Sequence, residues 1–155
     1  MADIHETLHV DATADHVYAM VSDLPRMGEW SPECDRVTWR DGASGARPGA
    51  KFLGHNRVGA VRWTTFGEVV AAEPGRNLAF EVTAGPVALS RWEYFFVPDE
   101  DGSGCTVAEE WTDRRPAWYR FVADRAFGNR MRTNAQGIRA TLLALRRAAE
   151  TRQLS

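Results

Sequence analysis

Asn56, Tyr94, Glu109 and Asn134 are the side chains whose type and placement suit chemistry, because each interrupts an otherwise apolar pattern. In the run Phe52, Gly54, Asn56, Val58, alternate residues share one face of a strand, and Gly54 leaves room beside Phe52. Asn134 falls in the apolar stripe of a helix, where a buried amide costs free energy unless it is hydrogen-bonded. Two such amides facing an apolar pocket would orient a ligand carbonyl or hydroxyl, while inside a plain core each would simply tie backbone to backbone. Trp92, Tyr94 and Phe96 alternate, as do Leu78, Phe80 and Val82, so both sets suit either pocket walls or core.

Glu109 shares a strand face with Val107 and Trp111. Facing inward, it would be desolvated and its pKa raised, which suits a general base. The preferred reading turns it outward to pair with Arg91, an exposed ion pair of little energetic weight. His55 has the parity opposite to Asn56 and is expected on the outer face. His5 and His9 share a strand face without a third ligand at a recognisable spacing, so no metal is expected. No Gly-rich phosphate loop or nucleophile elbow is visible, and no cofactor is expected.

The elements that must position these residues follow from changes of period. Ile4, Glu6, Leu8 and Val10 alternate with His5, Thr7 and His9, predicting a strand over about 3–10. Val17, Met20, Val21 and Leu24 then step by three and four, predicting a short helix capped by Asp11 or Thr13. Pro25 opens a second helical turn that runs to Trp30 and that Pro32 stops. Strands follow from Cys34 to the turn that begins at Asp41, then at about 51–58, 61–72, 77–84, 88–97 and 105–112, joined by short Gly- and Pro-containing turns that suit antiparallel neighbours.

From Ala117 to Thr151 the helical period returns, with Phe127, Met131, Asn134, Ile138, Leu142, Leu145 and Ala149 along one face. Trp118, Phe121 and Val122 lie off that face, and Gly128 sits near the change of phase. The spacing therefore predicts a kink, or a short helix followed by a long one.

The 155 residues suit one domain over 1–155, and the formal charge of -2, with both signs intermixed, gives no broad basic footprint for nucleic acid or anionic membrane. The Arg-rich end from Arg146 to Arg152 is read as a solvated last turn. Cys34 and Cys105 are expected as free thiols. No apolar run is long enough to span a bilayer, and a cytoplasmic protein is expected.

A curved antiparallel sheet under a nearly straight helix leaves a gap, which is a natural pocket. Here the chain resembles the helix-grip superfamily, which includes the birch-pollen allergen, the START domains and the polyketide cyclase/dehydrase group. The resemblance rests on Ala14-Asp15-His16-Val17-Tyr18, Ser22-Asp23, Glu29-Trp30-Ser31-Pro32, Gly54-His55-Asn56-Arg57, Arg62-Trp63, Glu73-Pro74-Gly75-Arg76 and Arg91-Trp92. It implies an α+β helix-grip fold: a curved seven-stranded antiparallel sheet, two short helices and a long C-terminal helix enclosing a cavity. The implied occupant is an apolar or aromatic small molecule, lipid- or polyketide-like. With the resemblance, the residues expected to face it are Trp30, Phe52, Asn56, Trp63, Phe80, Trp92, Tyr94, Trp111, Phe127, Met131, Asn134 and Ile138. The resemblance also keeps open a cyclase- or dehydrase-like enzyme using Asn56, Tyr94, Glu109 and Asn134. A protein-partner module or homodimer built on Trp118, Phe121 and Val122 is the third reading.

Overall fold

The computed structural model describes residues 1–153, with side chains through Thr151, so the Arg152 side chain of the basic run lies outside the described residues. Strand β1 (Ile4–Val10) leads into helix α1 (Ala14–Ser22), whose first turn is capped by Thr13 Oγ1 accepting from the His16 N–H at 3.2 Å. A 3-10 helix, Leu24–Glu29, carries Pro25 in its first turn, where its missing donor is harmless, and ends at Trp30. Strands β2 (Cys34–Arg40), β3 (Lys51–Val58), β4 (Val61–Glu73), β5 (Asn77–Ala84), β6 (Val87–Pro98) and β7 (Cys105–Asp113) follow, then helices α2 (Ala117–Phe127) and α3 (Arg130–Gln153).

The seven strands form one curved antiparallel sheet in the order β1-β7-β6-β5-β4-β3-β2. All the hairpins from β2 to β7 join sequence neighbours, and β1 returns to pair with β7, Ile4 opposite Trp111 and Val10 opposite Cys105. Register shifts at Cys34/Arg36, Val69/Ala71 and Val82/Thr83 bend the strands locally, and such bulges add curvature to a sheet. The architecture is the α+β helix-grip arrangement that the sequence led us to expect.

Partner residues across the ladder share a face, so the pairings define the concave surface. Phe52 faces Trp39 and Gly67, Phe80 faces Val69 and Trp92, Leu78 faces Tyr94, and Tyr94 faces Glu109. Edge-on ring contacts knit this surface: Trp39 to Phe52 at 6.2 Å, Phe52 to Phe80 at 5.5 Å, and Tyr18 of α1 to Phe96 at 5.6 Å between centroids. Gly67 makes the first possible, because a Cβ there would lie 2.1 Å from Phe52 Cζ.

Helix α3 lies over β1 and β7 and buries Ile138, Leu142, Leu145 and Ala149, while α1 packs against α3, β5 and β6. Asn134 is buried as well, so the phase inferred for this helix holds from Asn134 onward. It fails before that point. Phe127 is 72% exposed and Met131 43% exposed, so neither joins the sheet-facing stripe. For Phe127 the cause is Gly128, whose φ of 85° ends α2 in a conformation that ordinary residues rarely adopt, so three- and four-residue spacing cannot be carried across it, while Met131 lies beyond that break in the first turn of α3.

Candidate functional site

Strand polarity places the β3/β4 tip, the β5/β6 tip and the end of β7 at one end of the sheet. Moving inward from that end, the concave face presents half-buried Asn56 and Trp63, then half-buried Val82 with buried Ser90, then Trp92 against buried Trp111. The indoles of Trp92 and Trp111 sit 6.5 Å apart, and Trp92 Nε1 donates to Ser90 Oγ at 3.1 Å. One step deeper, the Tyr94 hydroxyl donates to Glu109 Oε1 at 2.7 Å. Both residues are 2% exposed.

This corrects the outward Glu109–Arg91 pair. Arg91 instead contacts Glu81 and Glu93 on the convex side, because the β6/β7 register sets it opposite Thr112 while Glu109 faces Tyr94. Burial pushes the Glu109 carboxyl up to about 8, against the lowering effect of the Tyr94 hydrogen bond. Burial, and then the adjacent Glu109, hold the Tyr94 hydroxyl well above its usual range. At neutral pH Glu109 is therefore mostly protonated. Oε1 accepts from Tyr94, and Oε2 is buried with no hydrogen-bond partner. The indole Nε1 of Trp30 is buried and unpartnered as well. Buried polar groups are ordinarily satisfied, so the absence of a hydrogen-bond partner at these two atoms is informative; His16 Nε2 on α1 is a third such atom.

The two amides are distributed differently from expectation. Asn56 Nδ2 donates to Thr65 Oγ1 at 3.2 Å on the neighbouring strand. Asn134 Oδ1 accepts from Arg130 Nη2 at 3.1 Å, and the same guanidinium holds Glu33 through two bonds of 2.8 and 2.9 Å. Each amide thus has its own protein partner rather than the other amide. The Arg130–Glu33 fork pins the start of α3 to the segment that enters β2, and 97 residues of sequence separation hid it from sequence reading. Cys34 begins that strand, a half-buried free thiol pushed up to about 11 by burial and then by Asp35, so it remains unreactive at neutral pH.

Trp30, Phe52, Phe80, Tyr94, Trp111, Asn134 and Ile138 are buried on or beneath the concave face, and Asn56, Trp63 and Trp92 occupy its half-covered end. Phe127 and Met131 stand outside this assembly. A concavity of about 400 Å³ at the same end is lined by Asp35, Arg36, His55, Asn56, Arg62, Trp63 and Thr64, and another of about 670 Å³ lies at the opposite end between the start of α1 and the Pro74–Arg76 turn. His55 rims the first through its outer-face position, with Nε2 3.5 Å from Thr38 Oγ1. His5 and His9 pair with Glu110 and Asp99 at 2.8 Å on the surface.

Sequence reading also missed Arg115. It is a buried guanidinium that grips Asp113 with its Nε and Nη2 at 2.9 and 2.8 Å and reaches Asp124 of α2 with its Nη1 at 3.0 Å. Its signal was an arginine followed by Pro116 at a strand-to-helix junction, which the sequence offers without a visible partner. Among the described residues no helix is long and apolar enough to cross a membrane.

The family model described as polyketide cyclase / dehydrase and lipid transport matches residues 1–150. The chain belongs to this family. Among solved structures, a Polyketide_cyc-like protein of Corynebacterium glutamicum is 35% identical over 97% of this chain and 92% of its own, with a TM-score of 0.61. A protein of Deinococcus radiodurans, 18% identical, superposes with a TM-score of 0.66 over 93% and 94% of the two chains. The di-domain ARO/CYC protein StfQ of the steffimycin biosynthetic pathway gives 0.74 at 14% identity. This polyketide cyclase/dehydrase family member covers 98% of its own length but 51% of StfQ, so the likeness extends to about half of the larger protein and concerns the fold. No curated protein matches the chain.

Proposed function

We propose that this family member binds an apolar or aromatic small molecule carrying at least one hydrogen-bond acceptor, held on the concave face between the sheet and α3. The observation that carries the reading is Glu109: buried, kept protonated by desolvation, bonded to Tyr94 through one oxygen and unpartnered at the other. A neutral carboxyl in an aromatic surround donates a hydrogen bond to a ligand carbonyl or ether oxygen, and the cost of its unpaired state falls when such a ligand arrives. Trp30 Nε1 offers a second donor. Half-covered Trp63 and Trp92 supply an aromatic approach, and the family description supports a polyketide- or lipid-like occupant.

The test is native mass spectrometry of the gently purified protein together with an apolar ligand panel, comparing the chain with Glu109→Gln and Glu109→Ala. Retention of a ligand that weakens in Glu109→Ala but is preserved in Glu109→Gln is the expected result, since glutamine keeps a donor. Absence of any ligand across the panel would overturn the reading.

A second reading is favoured by the same pair. A carboxyl that titrates near neutrality, in contact with a phenol, can take a proton from an activated carbon and return it to an oxygen, as a cyclase or dehydrase step on a polyketide-type substrate requires. Turnover that survives unchanged in Glu109→Gln and Tyr94→Phe would exclude it.

A further inference from the structure

The most unusual surface lies on α2. None of its residues is buried, and Trp118, Phe121 and Val122 are 65%, 69% and 61% exposed. Helical spacing puts these three on one face with Arg125 between them. Phe127 and Met131 extend the exposed apolar surface toward α3. Although the whole chain carries -2, the stretch from Arg114 to Arg132 holds six arginines and a single acid, Asp124. Arg114, Arg115 and Arg130 are engaged with Glu81, Asp113 and Glu33. Arg125 and Arg132 are exposed and make no ion pair among the described residues.

We propose that the outward face of α2, with the first turn of α3, docks on an anionic bilayer surface. Large rings interleaved with unpaired arginines on a short helix are the composition of an interfacial helix, whose rings enter the headgroup boundary while its cations meet lipid phosphates. A second copy of the chain fits less well. A two-fold contact through this face would set Arg125 against its own counterpart and strip water from both. The whole-chain charge balance, which gives no broad basic footprint, conceals this local patch. The face also lies on the helix that follows β7, at the end where the concave surface is half-covered, so a docked molecule would present that end to the lipid.

Flotation of the full chain with phosphatidylcholine vesicles, and with vesicles containing added phosphatidylglycerol, tests the proposal. Binding about tenfold or more stronger to the anionic vesicles, weakening with salt, is expected. Trp118→Ser with Phe121→Ser should abolish binding without moving the thermal midpoint, because neither ring is buried. Arg125→Gln with Arg132→Gln should erase the preference for phosphatidylglycerol. No binding to either vesicle overturns the proposal, and so does binding that both double variants leave intact. A dimer seen by light scattering that the Trp118/Phe121 variant disrupts, without vesicle binding, would assign the face to a second copy and overturn it too. Ligand retention by native mass spectrometry is read separately, so failure here leaves the Glu109 reading standing and the reverse also holds.

Discussion

Helices α2 and α3 follow β7 in immediate succession, and each has a clear apolar face, yet α3 buries Ile138, Leu142, Leu145 and Ala149 whereas α2 leaves Trp118, Phe121 and Val122 in solvent. The difference lies in what each helix has beneath it. Helix α3 runs across β1 and β7 and meets a ready surface. Helix α2 is held by a polar tie, Arg115 to Asp124, which fixes one side of the helix and leaves the other facing away. Amphipathic spacing says that a helix has an apolar face, and tertiary position says whether the domain itself covers it. The two faces thus serve different purposes: one closes the core, and the other is available to something outside the chain.

The comparison breaks most visibly at the tie. Arg115→Ala leaves Asp113 buried without its cation, and a loss of about 3–5 kcal/mol in chemical denaturation is expected, with α2 becoming the first site of limited proteolysis. If α2 stays protected, its placement rests on something other than Arg115. Next come paired truncations on the two faces. Leu145→Ala should cost about 2–5 kcal/mol through the cavity it opens, and Phe121→Ala should stay within about 0.5 kcal/mol. Equal losses would mean that α2 packs on the domain in solution.

Inside the α3-covered half the contrast is set by pH. Glu109 titrates at about 8 when folded and near 4.5 when unfolded, so between these values the folded state binds the extra proton. Stability contributed by this group is therefore complete below about 4.5 and is lost as pH rises through 8. Glu109→Gln should flatten that slope in urea denaturation measured across the window. Tyr94→Phe removes the bond that lowers the carboxyl, so the loss should move to higher pH. A slope unaltered in Glu109→Gln would show that another group sets it.

Much of the sheet was readable because alternation and turn residues speak locally: β3 and β5 begin and end where Lys51–Val58 and Asn77–Ala84 change pattern. Helix α3 was readable from Asn134 onward for the same reason. The change of apolar phase marks the break at Gly128, yet the stripe drawn back to Phe127 crosses it, and Met131 in the first turn of α3 lies outside the stripe although no break separates it from Asn134. Glu109 illustrates the opposite difficulty. Its parity with Val107 and Trp111 pointed inward, but the general preference of carboxylates for water argued outward, and Tyr94, the partner that reconciles the two, emerges from the β6/β7 register. Arg130–Glu33 and Arg115–Asp124 depend on three-dimensional proximity from the outset.

The pairing of β1 with β7 has a further consequence, for the order of assembly. Strand β1, the first of this sheet along the chain, finds its partner about a hundred residues later, at Ile4 opposite Trp111, while β2 to β7 close through successive short hairpins. Local closures are entropically cheap and fast, and the long one is slow. Until β7 is in place, β1 waits as a solitary strand, and the polar row His5, Thr7 and His9 between its apolar residues helps keep that waiting segment from joining the wrong edge.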